Sequence, residues 1–389
     1  MKYKRINRCT ICNKKISYKN KIVFNKFPIT EIFVNKPSQK KINYKQQINF
    51  CNNCNHISLG YQYHPSNFYN ENYLNSSQSY SNKFSNNFFL DFIKKNLKKN
   101  KNNVIEIGAN DLFLLEKFKK YSSKAIAIDP CITPNKQFKF IKCIKKFAEN
   151  VDLSEISFKP DIVLCSQTLE HIANPVKFLA NTIKFGDANT KYFFQFPSCE
   201  SLIDRYAFDQ LHHQHFNLFS LNSIQKILSK NNLTLIDYDF NEHHYGSLMI
   251  YFKSKKKNKI IKTYKNEISL KERYNIYKNF IDNIISIVKK YKSRKYKVYA
   301  VGAGLMTPVL NYQLKGLLNL VDNILDDDKN KINKYFPNIN TKIKSLKRTN
   351  LNNSVAIISS TASSITTRKL ISIVEKKNAK IIIVPTISY

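Results

Sequence analysis

The sequence predicts an α/β protein in three parts: a small cysteine-bearing N-terminal module, a central Rossmann-like domain and a C-terminal Rossmann-like domain. Three observations lead there. Two Cys-x-x-Cys pairs stand at Cys9/Cys12 and Cys51/Cys54. A strand, glycine turn, helix and strand series runs from Asn103 to Pro175. A second such series begins at Val298 in the 389-residue chain. The expected boundaries are 1–80, 81–254 and 260–389, with the last break at the basic run Lys255 to Lys259.

Each cysteine pair can set two thiolates on one tight knuckle, and 38 residues separate Cys12 from Cys51. Two knuckles complete a tetrahedral set with no open position, which describes a structural zinc site bound by Cys9, Cys12, Cys51 and Cys54. Redox dithiols are the alternative. Between the pairs, Ile22-Val23-Phe24 and Ile32-Phe33-Val34 have the look of short strands. His56 is either a spare ligand or a surface bystander. Tyr63 to Phe84, rich in tyrosine, asparagine and serine, reads as a loop that enters a helix near Ser81.

In the central block, Val104-Ile105-Glu106-Ile107 is a short apolar run that meets Gly108 and passes into a helix pattern ending near Phe118. A second run, Ala125 to Ile128, ends on Asp129, which lies 129 − 106 = 23 positions after Glu106. A third, Asp161 to Cys165, leads into Ser-Gln-Thr-Leu-Glu-His-Ile-Ala-Asn-Pro. This βαβ pattern holds nucleosides: the glycine turn admits a ligand to the backbone, and the acid accepts hydrogen bonds from ribose hydroxyls. Glu106, Gly108, Asn110 and Asp129 are the expected binding residues. Glu170 and His171 follow at the next strand end, where His171 is either a ligand contact or a satisfied helix-start residue.

Further on, Phe208 to Leu228 carries His212, His213 and His215 ahead of an amphipathic helix. An imidazole titrates near neutrality and can take a proton from a substrate. Metal binding by these three is the weaker reading, because no acid or cysteine accompanies them in sequence. After the basic run, a helix is expected from Leu270 to Tyr291, with Ile276, Phe280, Ile284, Ile287 and Val288 on one face. Strands at Val298 to Val301, Val321 to Leu325, Val355 to Ile358 and Ile381 to Val384 alternate with helix, as in a Rossmann-like sheet. Gly302-Ala303-Gly304 with Asp327 has the outline of a dinucleotide site, but its glycine pattern is incomplete.

The formal charge is +37. Basic residues follow the chain evenly instead of forming one stripe with interleaved aromatics, and lysine, asparagine and isoleucine are raised throughout. That is a compositional drift, not a nucleic-acid footprint, although it would attract an anionic substrate. No apolar stretch reaches the length of about 18 residues that a membrane helix needs, and the first residues lack a secretory apolar region. With eight cysteines and no leader, the expectation is a cytoplasmic protein with metal-bound or free thiols.

Glu-Ile-Gly-Ala-Asn-Asp-Leu-Phe-Leu-Leu-Glu followed by Leu-Glu-His-Ile-Ala-Asn-Pro resembles the class I S-adenosylmethionine-dependent methyltransferases. More narrowly, the chain is similar to the sugar C-methyltransferases that act on nucleotide-linked keto-sugars. The family pattern Phe-Asp-x-x-Tyr-His-Glu-His-x-x-x-Phe-Ser is met at Phe208, Asp209, His213, His215, Phe219 and Ser220. His212 replaces the tyrosine and Gln214 the glutamate, while Leu112 stands where a further glycine is usual. The resemblance implies that S-adenosylmethionine is the cofactor, structural Zn2+ the metal, His215 the base, and His212, His213, Gln214 and Tyr73 its companions, with Tyr69 nearby. It also implies nucleotide-sugar binding in the C-terminal half, carried over to Gly302, Asn311, Asp327, Lys331 and Tyr335. Asp326 and Pro337 match as well, and Asn338 replaces a glycine. The implied role is methylation of a sugar carbon in surface glycan or deoxysugar biosynthesis, by a monomer or homodimer without nucleic-acid partners. An O- or N-methyltransferase acting on a sugar, or a degenerate nucleotide-sugar-binding protein, are the alternatives.

Overall fold

The computed structural model of the chain describes residues 3–30, 32–37, 43–64, 80–97, 101–132, 140–244, 246–254, 269–361 and 363–387. Tyr69, Tyr73 and the run Lys255 to Lys259 lie outside them. Contacts gather the chain into two compact units: Met1–Tyr18, Asn49–Glu200 and Gln214–Asn266 in the first, Lys19–Ile48, Ser201–His213 and Glu267–Tyr389 in the second.

The first unit is built on seven strands: β1 (Asn102–Ile107), β2 (Ser122–Ile128), β3 (Ile141–Ile144), β4 (Ile162–Ser166), β5 (Lys191–Phe196), β6 (Leu233–Asn241) and β7 (Ser247–Ser254). Their order across the sheet is β3-β2-β1-β4-β5-β7-β6. Pairing is parallel from β3 to β5. β7 runs antiparallel to both β5 and β6. The apolar runs form strands because helices cover both faces, so successive side chains are all buried. On one face Ile105, Ile107, Val163, Cys165, Phe194 and Phe196 pack with Phe178, Leu179, Ile224 and Ile227. On the other, Val104, Ala125, Ala127, Leu164 and Phe193 pack with Phe89, Ile93, Leu115 and Phe118. The strand order reverses between β1 and β4, so the crevice at their carboxyl ends is the place where such sheets bind ligands.

Cys9, Ile11, Ile16, Cys51 and Cys54 belong to the first of these cores, beside Phe219 and Leu221. That shared apolar core is why the cysteine segments group with the central sheet. Residues between the cysteine pairs divide differently. Phe24 and Phe27 pack edge-on against Tyr312, and Phe24 also meets Tyr274, which ties the strand Lys21–Pro28 to the second unit. Val34 makes only an isolated bridge to Tyr335, so the strand expected at residues 32–34 does not form.

The second unit has five parallel strands: β8 (Val298–Val301), β9 (Asn323–Leu325), β10 (Ile343–Lys344), β11 (Val355–Ile358) and β12 (Ile381–Ile383), ordered β10-β9-β8-β11-β12. Its long helix, Leu270–Ser293, starts at a Ser269/Glu272 capping box. The buried stripe is Tyr277, Ile281, Ile284, Ile285 and Val288, while Ile276 and Ile287 are each 44% exposed. The stripe therefore sits about one position round from the expected one, because Tyr277 contributes an aromatic ring to the core alongside Phe208. Among the described residues, no helix is long and apolar enough to cross a membrane.

Candidate active site

The turn after β1 has three left-handed residues in alternation: Gly108 (φ 76), Asn110 (φ 47) and Leu112 (φ 66). Gly108 is required for a reason beyond its φ. A Cβ there would lie 1.8 Å from Thr168 Oγ1, so the missing side chain lets the turns after β1 and β4 close on each other. Leu112 adopts the conformation a glycine would supply, and its side chain, 3% exposed, packs into the apolar core with Leu114 and Leu115. The substitution thus preserves the path of the turn and sends its bulk inward.

Asp129, at the end of β2, accepts the Asn110 amide on Oδ2 at 3.1 Å and the Cys131 amide on Oδ1 at 2.7 Å. Burial raises its pKa against those two bonds. Glu106 is pushed well above the usual carboxylate range by burial, with Asp129 and Asp111 adding like charge. Its Oε2 is buried without a protein hydrogen bond. An orphaned carboxyl oxygen costs about 1–3 kcal/mol, which a polar ligand in the crevice offsets. These residues fit a nucleoside cofactor such as S-adenosylmethionine: the buried carboxyls of Glu106 and Asp129 and the open Gly108 turn meet at one end of the sheet. Asp129→Ala is expected to weaken cofactor binding by about 1–3 kcal/mol, read by calorimetry.

The turn after β4 carries Leu169–His171 as a single 3-10 turn, and Asn174 caps the helix Pro175–Thr182 that follows. Glu170 is fully buried at 0% exposure, and neither of its oxygens has a hydrogen-bond partner. Its Oε1 lies 3.9 Å from His215 Nε2 and 4.0 Å from His171 Nε2. The two imidazoles meet edge to face with ring centroids 4.9 Å apart. His171 Nδ1 donates to the Gln214 carbonyl at 3.0 Å, which fixes the tautomer and leaves a lone pair on Nε2. Burial holds His171 down at about 4 and pushes Glu170 up to about 8. Sequence placed Glu170 and His171 with the cofactor. Their meeting with His215, 215 − 170 = 45 positions on, had no signal beyond the residue types themselves.

His213 belongs to the second unit, where Nδ1 accepts from Gln46 Nε2 at 3.0 Å and Nε2 donates to the Phe27 carbonyl at 3.3 Å. Rings of Phe27 and Tyr44 enclose it, and burial lowers it to about 4. Both of its ring nitrogens are thus engaged within the protein. His212 is buried in the same unit. Gln214 is 4% exposed and meets His171 through its backbone oxygen.

The four cysteine sulfurs converge. Cys9 to Cys54 and Cys12 to Cys51 are each 3.5 Å, and Cys54 to Cys12 is 3.7 Å. A zinc tetrahedron with bonds of about 2.3 Å has edges of about 3.8 Å, whereas a disulfide needs about 2.05 Å. The group fits Zn2+. Hydrogen bonds from Cys54 and Cys9 pull the Cys51 thiol down, and its bond to Cys51 raises Cys9 to about 12. His56 is neither ligand nor surface residue: it is fully buried, with Nε2 3.0 Å from Thr10 Oγ1 and 3.1 Å from Asn217 Oδ1.

In the second unit, Gly302 (φ 98) turns the chain after β8, where a Cβ would meet Ser360 Cβ at 2.6 Å. Asp326 Oδ2 accepts the Ala303 amide at 2.8 Å, repeating the Asp129–Asn110 contact, and Lys331 lies 3.4 Å from the same oxygen. Asp327 instead takes Ser345 Oγ and the Lys347 amide at 2.9 and 3.0 Å. Asn311 Oδ1 accepts from the Leu318 amide at 2.9 Å. Tyr335 exchanges backbone bonds with Val34.

A family profile described as a methyltransferase domain matches residues 81–238, a span that holds the Gly108 turn, Asp129, Glu170 and His215. With the sheet order above, that segment is a class I, S-adenosylmethionine-dependent methyltransferase domain. Solved structures similar to the chain include three methyltransferases. The Burkholderia thailandensis 1,6-didemethyltoxoflavin-N1-methyltransferase is 11% identical, over 46% of this chain and 80% of that one, with a TM-score of 0.36. The N-methyltransferase NodS of Bradyrhizobium japonicum is 12% identical over 45% and 88%, with 0.35. An S-adenosylmethionine-dependent methyltransferase of Clostridium acetobutylicum is 10% identical over 44% and 91%, with 0.33. No curated protein matches the sequence.

Proposed function

We propose that this chain methylates a carbon of a nucleotide-linked keto-sugar, with His215 as the base. The observation that carries the reading is the placement of His215 Nε2, 3.9 Å from the buried Glu170 carboxyl, in the same unit as the Gly108 turn and Asp129. His215 takes the proton beside the 4-keto group, and the carbon–hydrogen pair passes into the enolate. S-adenosylmethionine, when bound, supplies the electrophilic methyl for that carbon. Asp129 and the Gly108 turn hold and orient the nucleoside, so proximity lowers the barrier. The keto-sugar specificity rests on the resemblance at Phe208, Asp209, His215, Phe219 and Ser220. By the same resemblance, the nucleotide is assigned to the Gly302 turn and Lys331.

Gln214, neutral where the family carries glutamate, favours a second reading in which a sugar hydroxyl or amine is the acceptor. One experiment separates the two. The protein is incubated in D2O with S-adenosylmethionine and a nucleotide-linked 4-keto sugar. Carbon methylation is expected to give S-adenosylhomocysteine together with deuterium at the carbon beside the ketone. Turnover without exchange supports the second reading, and no turnover on keto or hydroxyl sugars rejects both.

A further inference from the structure

We propose that Glu170 is the carboxylate partner that positions His215 and stabilises its imidazolium, supplying from the turn after β4 the acid that Gln214 does not. This rests on the reading of His215 as the base.

Glu170 is sealed from solvent and has no hydrogen bond on either oxygen. A buried carboxyl in that state needs a proton or a cation. The groups around it are His171, His215 and the Cys165 thiol. Cys165 is buried and pushed well above its usual range, chiefly by desolvation with Glu170 adding, so it stays a neutral thiol. His171 spends its Nδ1 proton on the Gln214 carbonyl, and burial holds it neutral to about 4. His215 brings its Nε2 to 3.9 Å from the same carboxyl.

The same three residues have the composition of a two-histidine, one-carboxylate metal site, and their ligand atoms lie within 4.8 Å of one another. Their spacing argues against it. Bonds of about 2.1 Å give ligand edges of about 3.0–3.4 Å, but the two Glu170 separations are 3.9 and 4.0 Å. The thiols, by contrast, sit at 3.5–3.7 Å, close to their own metal geometry. A separation of about 4 Å with low surrounding dielectric suits charge pairing between carboxylate and imidazolium.

The proton-free pair is the working base. The proton leaves the substrate carbon for His215, its bond pair enters the enolate, and the imidazolium is held by the Glu170 carboxylate. Burial pushes the Glu170 carboxyl up to about 8, so the carboxylate form that holds the imidazolium is favoured as pH rises towards that value.

The test uses the full-length zinc-loaded protein with 13C-labelled histidine and needs no substrate. The His215 titration midpoint is followed by NMR in the native protein, Glu170→Gln and Glu170→Asp. Glu170→Gln is expected to lower that midpoint by at least about one unit, the usual effect of losing an opposite charge at this range, and Glu170→Asp by less. Melting temperature should stay unchanged, since glutamine matches the acid in size. With substrate, kcat should fall about 10–100-fold at constant KM. A midpoint unmoved in Glu170→Gln overturns the inference. So does a native His215 that does not titrate because a second equivalent of divalent metal holds it. Full activity in His215→Asn with the midpoint shift intact would instead remove the function reading and leave the pair standing.

Discussion

His215→Asn is expected to abolish methyl transfer while S-adenosylmethionine still binds. Asparagine keeps a polar group of similar reach but has no lone pair that takes a proton near neutrality. General-base catalysis contributes about 10²–10⁴-fold, so turnover should fall by at least that margin in a coupled S-adenosylhomocysteine assay. Deuterium exchange beside the ketone should vanish with it, because exchange needs proton removal and not methyl transfer. Cofactor affinity should hold, since Asp129, Glu106 and the Gly108 turn are anchored on β1 and β2, apart from the segment that carries His215. Full activity in this variant would overturn the assignment. His213 is not the obvious substitute, because Gln46 and the Phe27 carbonyl occupy its two nitrogens.

The central sheet was legible because its signals are local. Ala125 to Ile128 and Ile162 to Cys165 are unbroken apolar runs, Val104 to Ile107 is interrupted only by Glu106, and only strands buried on both faces tolerate them. β3 and β6 were missed for the opposite reason: Ile141–Ile144 is short and exposes Lys142 and Cys143, and Leu233–Asn241 interleaves Thr234, Asp237, Asp239 and Asn241 with its apolar residues. The candidate site was half legible. A glycine turn and an acid 23 positions on state their own geometry, whereas the approach of Glu170 to His215 is made by two turns of unrelated sequence. Three histidines in four positions look like one constellation; His212 and His213 group with one compact unit and His215 with the other. A single buried imidazole with a glutamine and a carbonyl partner has no sequence signature that separates it from a base.

Zinc removal is expected to destabilise the methyltransferase unit as well as the cysteine segments. A zinc site in a separate module would lead a cysteine substitution to destabilise the N-terminal segment more than it affects cofactor binding. The packing predicts otherwise. Cys9, Cys51 and Cys54 lie in the same core as Ile224, Ile227 and Leu228. Ser220, which caps the helix Leu221–Lys230, also donates its hydroxyl to the Cys54 carbonyl at 2.9 Å. Lys230, at the far end of that helix, donates to the Ile11 carbonyl at 2.8 Å. Both ends of one methyltransferase helix are therefore pinned to the two cysteine knuckles. Cys54→Ser should lose the metal and leave the remaining thiols buried and uncompensated, a cost of at least about 3 kcal/mol by analogy with a broken buried ion pair. For a domain of this size that is a fall of about 6–12 °C in melting temperature. Metal analysis should give one zinc per chain in the native protein and none in the variant. Hydrogen exchange should rise together over residues 9–16, 51–59 and 219–230, and stay unchanged over Leu270–Ser293 in the second unit. A native protein that holds no zinc under reducing conditions yet melts normally would overturn the site. Faster exchange confined to the cysteine segments would restore the independent module.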